Sequence, residues 1–116
     1  MANTFKLKTK AGVNSSTTAA VYTVPSSTTA VIIGLTITNV KGAAITADAK
    51  IVTASTSGEN ADDVFIVKVV PLPSGSTMEV MSGNKIILQA GDSVTATGSN
   101  ASGADADIIL SVMEIT

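Results

Sequence analysis

Apolar residues recur at a period of two along most of this chain, in short runs separated by clusters of Ser, Thr, Gly, Asn and Pro. That pattern predicts strands and turns. The longest run, AVIIGLTITNV at residues 30–40, is β-branched almost throughout, which favours a pleated strand over a helix. A strict alternation sets Val31, Ile33, Leu35 and Ile37 on one face, which we expect to be the core face. Ile32, Gly34, Thr36 and Thr38 then form the other face, which is small and Thr-rich rather than charged. Such a strand is suited to the centre of a sheet covered on both sides.

Taken in order, residues 4–9 alternate Phe5 and Leu7 with Lys6 and Lys8, as a short strand or an ordered arm would. Residues 11–18 are polar and turn-rich. We therefore treat residues 1–18 as an N-terminal strand or arm with its linker, and residues 19–116 as one β-sandwich domain. A strand over 19–24 stops at Pro25, which cannot donate to a ladder. After the central run, residues 41–43 with Gly42 read as a hairpin connection into 44–52. That segment alternates Ile45, Ala47, Ala49 and Ile51 with Thr46, Asp48 and Lys50, so Asp48 is expected to be exposed and of little energetic weight. Residues 54–63 form a polar surface loop. Residues 64–70, VFIVKVV, are apolar on both faces apart from Lys68, and Pro71-Leu72-Pro73-Ser74-Gly75 ends them. Strands follow over 77–81 and 85–89, then a hairpin through Ala90-Gly91-Asp92 into 93–97, a loop over 98–106 and a last strand over 107–115. The whole reads as about eight strands with no helical period, an all-β antiparallel β-sandwich of which the jelly roll is one form.

Composition narrows the function. Of the 116 residues 45% are hydrophobic but only 3% aromatic, so the core is built from Ala, Val, Ile and Thr in thin layers. Ligand pockets and binding hot spots usually recruit aromatics and Arg, and Arg is absent. With neither His nor Cys, the commonest general base, transition-metal ligands and covalent nucleophiles are missing. The many serines have at best Lys68 or Lys85 as a base, without a GxSxG motif. Two acidic groups, Glu59 with Asp62 and Asp63, and Asp105 with Asp107, are the only candidates for a hard cation. Neither has EF-hand spacing, so we read them as solvated loop acids. No enzyme activity, cofactor or metal is expected. The net charge of −2 gives no basis for nucleic-acid binding, and Lys6, Lys8 and Lys10 read as one solvated face of a strand. The first residues, MANTFKLKTK, lack an apolar signal region, and no run approaches the roughly 18 residues of a membrane span.

Apolar surface remains as the carrier of function. Strands apolar on both faces, in a chain with few large side chains, predict self-association. The expected contact residues are Phe5, Lys6, Leu7 and Lys8 on the N-terminal segment, and Val64, Ile66, Ile109 and Met113 on the two strongest apolar strands. Two roles for the N-terminal segment stand side by side. It either reaches to a neighbouring sheet edge or closes the edge of its own sandwich.

The segments VYTVPSSTTAVIIGLTITNV, VKVVPLPSGSTMEV, NKIILQAGDSV and ILSVMEIT resemble small virion structural proteins of tailed bacteriophages, including phages of cyanobacteria. The resemblance runs from about residue 21 to residue 116. It implies a non-enzymatic protein, made in the host bacterial cytoplasm and assembled into the virion. Capsid decoration, or cement, is the role it favours, with a homotrimer seated on the major capsid protein or another virion protein. The alternative it leaves is a tail, neck or baseplate component, such as a fibre module recognising host-surface carbohydrate.

Overall fold

The computed structural model describes residues 2–54, 62–81 and 83–116. Among them are nine strands and no helix: β1 (Asn3–Val13), β2 (Tyr22–Thr23), β3 (Thr29–Asn39), β4 (Ile45–Val52), β5 (Val64–Leu72), β6 (Thr77–Glu79), β7 (Ile86–Leu88), β8 (Ser93–Gly98) and β9 (Ala106–Ile115). They form two antiparallel sheets packed face to face. Sheet I runs β1-β9-β3, with β6 and β7 both on the far side of β3, and sheet II runs β2-β8-β4-β5. β6 lies opposite residues 36–38 of β3 and β7 opposite residues 30–32, so the two act as one interrupted strand. Counted that way there are eight strands, and nearly every connection crosses from one sheet to the other. This is jelly-roll order.

Two connections expected as hairpins are therefore sheet crossings. Residues 41–43 carry the chain from β3 in sheet I to β4 in sheet II, and residues 90–92 carry it from β7 to β8. Buried polar side chains pin both corners. Asn39 Nδ2 donates to the carbonyls of Ala43 and Leu72, each at 3.0 Å, tying the end of one sheet to the other. Asp92 accepts the N–H groups of Ala54 and Gln89, each at 2.9 Å, around the turn at Gly91, whose φ is +89°.

The core face of β3 differs from the expected one. Ile32, Leu35 and Ile37 are buried, whereas Ile33 is exposed and Val31 only half-buried. Ile32 faces Val112 and Gly34 faces Ser111, which leaves Ile33 without a counterpart on β9. That extra residue is a β-bulge, and it flips the parity of everything before it. By contrast β4 alternates as expected, with Ile45, Ala47, Ala49 and Ile51 inward. The small Ala47, Ala49 and Ala96 let the sheets approach the larger Ile and Leu side chains of β3 and β9.

A bulge, or a break in the neighbouring strand, leaves a ladder donor without its partner, and three such donors are met here by a carboxylate. On the other side of β3, in the break between β6 and β7, Glu79 accepts the N–H groups of Leu35 (3.2 Å) and Met81 (3.0 Å) and the Thr36 hydroxyl (3.0 Å). At the β1 bulge between Lys10 and Val13, Asp107 accepts the N–H of Gly12 (2.9 Å), whose φ is +67°. At a β5 bulge, Asp48 of β4 accepts the N–H of Val69 (2.5 Å), which holds the strained φ of 52°. Asp48 also pairs with Lys68 at 3.5 Å. It is thus a structural clasp, contrary to the expectation of an idle surface acid.

Leu35→Asp should prevent folding, since an unpaired carboxylate in the core costs several kcal/mol of a total of roughly 5–15. Ile33→Asp should cost only about 1–2 kcal/mol of lost apolar burial and still fold. Thermal unfolding of the two variants checks the bulge directly. Asp48→Ala should lose about 1–2 kcal/mol by orphaning the Val69 donor, measurable in urea titration; no change would show that solvent replaces the bond.

Candidate interaction surface

The outer faces of the two sheets differ in kind. On sheet II, β4 presents Thr46, Asp48 and Lys50, and β8 presents Ser93, Thr95 and Thr97. Its one aromatic ring, Phe65 of β5, lies under the ammonium groups of Lys68 at 4.3 Å and Lys50 at 5.5 Å. The outer face of sheet I is apolar in the half around the ends of β1, β9 and β7, and turns to Thr36, Thr38, Thr77, Glu79 and Asp107 in the other half. Cross-strand register places Phe5, Met113, Val31 and Ile87 in one row over four strands, from the β1 edge to the β7 edge. Leu7 beside Ser111, Ile109 beside Thr36, and Ile33 and Ile115 extend the patch. Phe5, Leu7 and Ile87 are 72%, 65% and 63% exposed. The acids on this face, Glu79 and Asp107, are those bound to backbone donors, and Lys85 stands at the rim just before β7.

The two open seams of the sandwich are closed differently. At the β1 seam the lysines occupy the core-side parity, because Lys6, Lys8 and Lys10 lie opposite Val112, Leu110 and Ile108. The expected solvated lysine face is therefore reversed, and Phe5 and Leu7 face outward instead. The aliphatic stems cover the seam and the heads reach its mouth. Lys6 Nζ lies 2.8 Å from the buried Glu114 carboxylate, the Tyr22 hydroxyl donates to the same carboxylate at 2.5 Å, and Lys8 Nζ sits 5.6 Å from the Tyr22 ring centre. Hydrogen bonds from Lys6 and Tyr22 hold Glu114 below the usual carboxylate range despite its burial. Burial, with the Glu114 acceptor and its charge, pushes the Tyr22 hydroxyl up. The opposite seam, between β5 and β7, is a groove of about 740 Å³ walled by Ile51, Val64, Phe65, Ile66, Ile86 and Ile87.

The candidate cation groups resolve into separate structural roles. Asp105, wholly buried, accepts the N–H (2.8 Å) and side-chain amide (3.0 Å) of Asn100 and pairs with Lys41 at 3.4 Å. Desolvation pushes its carboxyl up, but the Asn100 and Lys41 contacts outweigh this and hold it below the ordinary range. Asp107 turns to Gly12 and Asp63 to the N–H of Thr53 (2.9 Å), while Asp62 lies on the groove wall. Glu59 lies outside the described residues.

The sequence-derived contact residues thus fall in three places. Phe5, Leu7, Ile109 and Met113 share the outer face of sheet I. Lys6 and Lys8 sit at the β1 seam, on the other side of that sheet. Val64 and Ile66 wall the groove at the far edge, Ile66 partly packed on the core. Val31, Ile33, Ile87 and Ile115 belong to the patch and were not anticipated. For Ile87 the alternation of Ile86, Ile87 and Leu88 about a short strand was the available signal.

No protein-family model matches the chain, and no curated protein matches it. Among solved structures it is similar to a chain of the disulfide-linked pili of Bacillus endospore appendages, at 15% identity over 98% of this chain and 88% of that one, with a TM-score of 0.48. It is similar also to a chain of infectious bursal disease virus, Gx strain, at 10% identity over 97% of this chain and 32% of that one, again with a TM-score of 0.48. The VP2 subviral particle of the same virus gives 11% identity, coverage of 97% and 40%, and a TM-score of 0.33. The chain spans less than half of either viral chain. Likenesses this distant carry no argument about function.

The carboxylates set a stability profile. Burial pushes Glu79 up, but donors from Leu35, Met81 and Thr36 leave it net below its ordinary value, as with Asp105 and Glu114. All three bind protons more weakly folded than unfolded, so their stabilisation is complete above the unfolded values. It should be lost as pH falls below 4.5 for the glutamates and 3.8 for Asp105. Tyr22 has the opposite sign, its contribution being lost as pH rises beyond 10.0. Melting temperature measured from acid to alkali should therefore fall at both ends; a flat acid limb would contradict the carboxylate assignments. Gly98→Ala should also destabilise, because a Cβ there meets the buried Asp105 side chain.

Proposed function

We propose that the protein is a non-enzymatic virion structural protein that works through protein–protein contacts, and that its role is decoration of a bacteriophage head. The observation that carries the association reading is the outer face of sheet I. An apolar row crosses its four strands, while on sheet II β4 and β8 present mostly Thr, Ser, Asp and Lys and the exposed apolar side chains, Val64, Phe65 and Val69, lie on β5. Contiguous apolar surface of that breadth is a mark of association. The side chains that elsewhere build polar sites are engaged in the fold, since Asp48, Asp63, Glu79, Asp92, Asp105 and Asp107 each accept a backbone N–H. The virion class and the head location come from the sequence resemblance. A sugar-binding fibre tip is less favoured: Tyr22 is buried, and the two exposed rings, Phe5 and Phe65, lie on different sheets, Phe65 with Lys68 and Lys50 over its face.

Reconstruction of the particle that carries this protein tests the role. Many copies spread over the head support decoration, and a few copies confined to the tail would replace it with the tail or baseplate reading. Sedimentation of the purified chain at micromolar concentration should show an oligomer. A clean monomer would remove the association that the reading depends on.

A further inference from the structure

We infer that a second copy of this chain packs on the outer face of sheet I about a two-fold axis parallel to the strands. Phe5 and Leu7 of each copy then sit over Ile87 of the other, beside its β5–β7 groove. This rests on the association reading above and specifies its partner and geometry, a pair rather than the trimer that the resemblance implies.

Three features point to this arrangement. The first is the layout of the apolar row. Two exposed side chains, Phe5 and Leu7, project at the β1 edge, and Ile87 stands at the β7 edge of the same face, where it also lines the groove of the β5–β7 seam. A two-fold axis along the strands brings opposite edges into register, so each copy sets Phe5 and Leu7 against the Ile87 edge of the other. Such a contact is isologous and closes on itself.

The second feature is charge. Glu79 and Asp107, the charged side chains on the strands of this face, are engaged by Leu35, Met81, Thr36 and Gly12. A strongly charged partner would find nothing to pair with at the centre of the patch and would strand its own charge. Among the described residues, the charges near this face without a partner of their own, Asp62 on the groove wall and Lys85 before β7, stand at the rim, so the centre of the patch is matched best by a surface as apolar as itself.

The third feature is that the two long edge strands, β1 of sheet I and β5 of sheet II, are guarded, which directs contact to the face. β1 turns Lys6, Lys8 and Lys10 to the core-side parity along its length, and inward-pointing charge is a known block to edge pairing. β5 is broken by register shifts on both sides of Ala49 and carries Lys68. Four strands at about 4.8 Å spacing, over about 20 Å of strand, give a planar footprint of roughly 400 Å². The Phe5 ring and the Leu7 side chain stand off the sheet and add to that planar figure, which places the contact among the smaller, reversible interfaces.

The chain has no cysteine, so introduced ones report without background. Phe5 and Ile87 are both well exposed and tolerate replacement, and they lie at opposite ends of the row, out of reach of each other within one chain. Gentle oxidation of the double variant Phe5→Cys/Ile87→Cys should give a single dimer band, closed by two reciprocal disulfides. Phe5→Cys alone should stay uncrosslinked, as should Thr95→Cys on the outer face of sheet II. A trimer or a ladder from the double variant would mean a head-to-tail contact and overturn the two-fold. A dimer from Phe5→Cys alone would mean β1 over β1 and overturn it equally. Sedimentation of the unaltered chain separates the failures. An oligomer without the Phe5–Ile87 crosslink discards this geometry and leaves association standing, whereas a monomer discards both.

Discussion

The hydrogen bonds that carboxylates accept from N–H groups left outside the ladders are the constraint on which the two-sheet arrangement depends. A jelly roll needs strands that bend and reverse parity, and each bulge that allows this leaves a donor outside the ladder. Unpaired, such a donor costs about 1–3 kcal/mol where it is buried and less where water reaches it, as at Val69. Asp107 at Gly12 and Asp48 at Val69 each answer a bulge from a neighbouring strand, and Glu79 at Leu35 answers the break between β6 and β7. Asp92 and Asp105 do the same for the turns. These five acids build the shape of the fold.

The same economy appears at the edges. The lysine stems of β1 lie over the seam that the small core residues cannot fill, and Glu114, with Tyr22, gives the Lys6 head a buried partner. Turning the lysines inward necessarily turns Phe5 and Leu7 outward, because successive side chains in a strand point to opposite sides. Protection of the edge and exposure of the apolar face are thus one decision in the sequence. A sandwich protected this way resists strand addition and keeps one face for a chosen contact.

Much of this was legible from the alternation of residues. The strand segments, their order of strength and the inward set of β4 follow from period two alone. What period two does not carry is the location of a bulge. Residues 30–40 alternate without a break, and only Gly34 hints that the pleat is interrupted, so Ile33 reads as core when it is surface. Turn chemistry has a similar limit. Gly42 and Gly91 mark reversals, but nothing local says whether the next strand joins the same sheet or the opposite one. The contact residues divide along that line. Phe5, Leu7, Ile109 and Met113 lie together on one face, while Lys6 and Lys8, chosen as their sequence neighbours, stand on the other side of the strand. Val31 and Ile87 join the patch through register, which no single segment contains.

The carboxylate bonds also bear on association. Burying the outer face of sheet I under another surface removes water from Glu79 and Asp107. An ionised carboxylate with open lone pairs would make that costly, by several kcal/mol in a largely apolar contact. Here Glu79 already holds three donors and Asp107 one, all from its own chain, so part of the solvation each would lose is supplied from within the fold. The depressed protonation of Glu79 reflects the same donors prevailing over desolvation. A face that carries two acids can in this way behave as an apolar one. The bonds that complete the ladders of β3 and β1 are the ones that make the surface beside them fit to be covered.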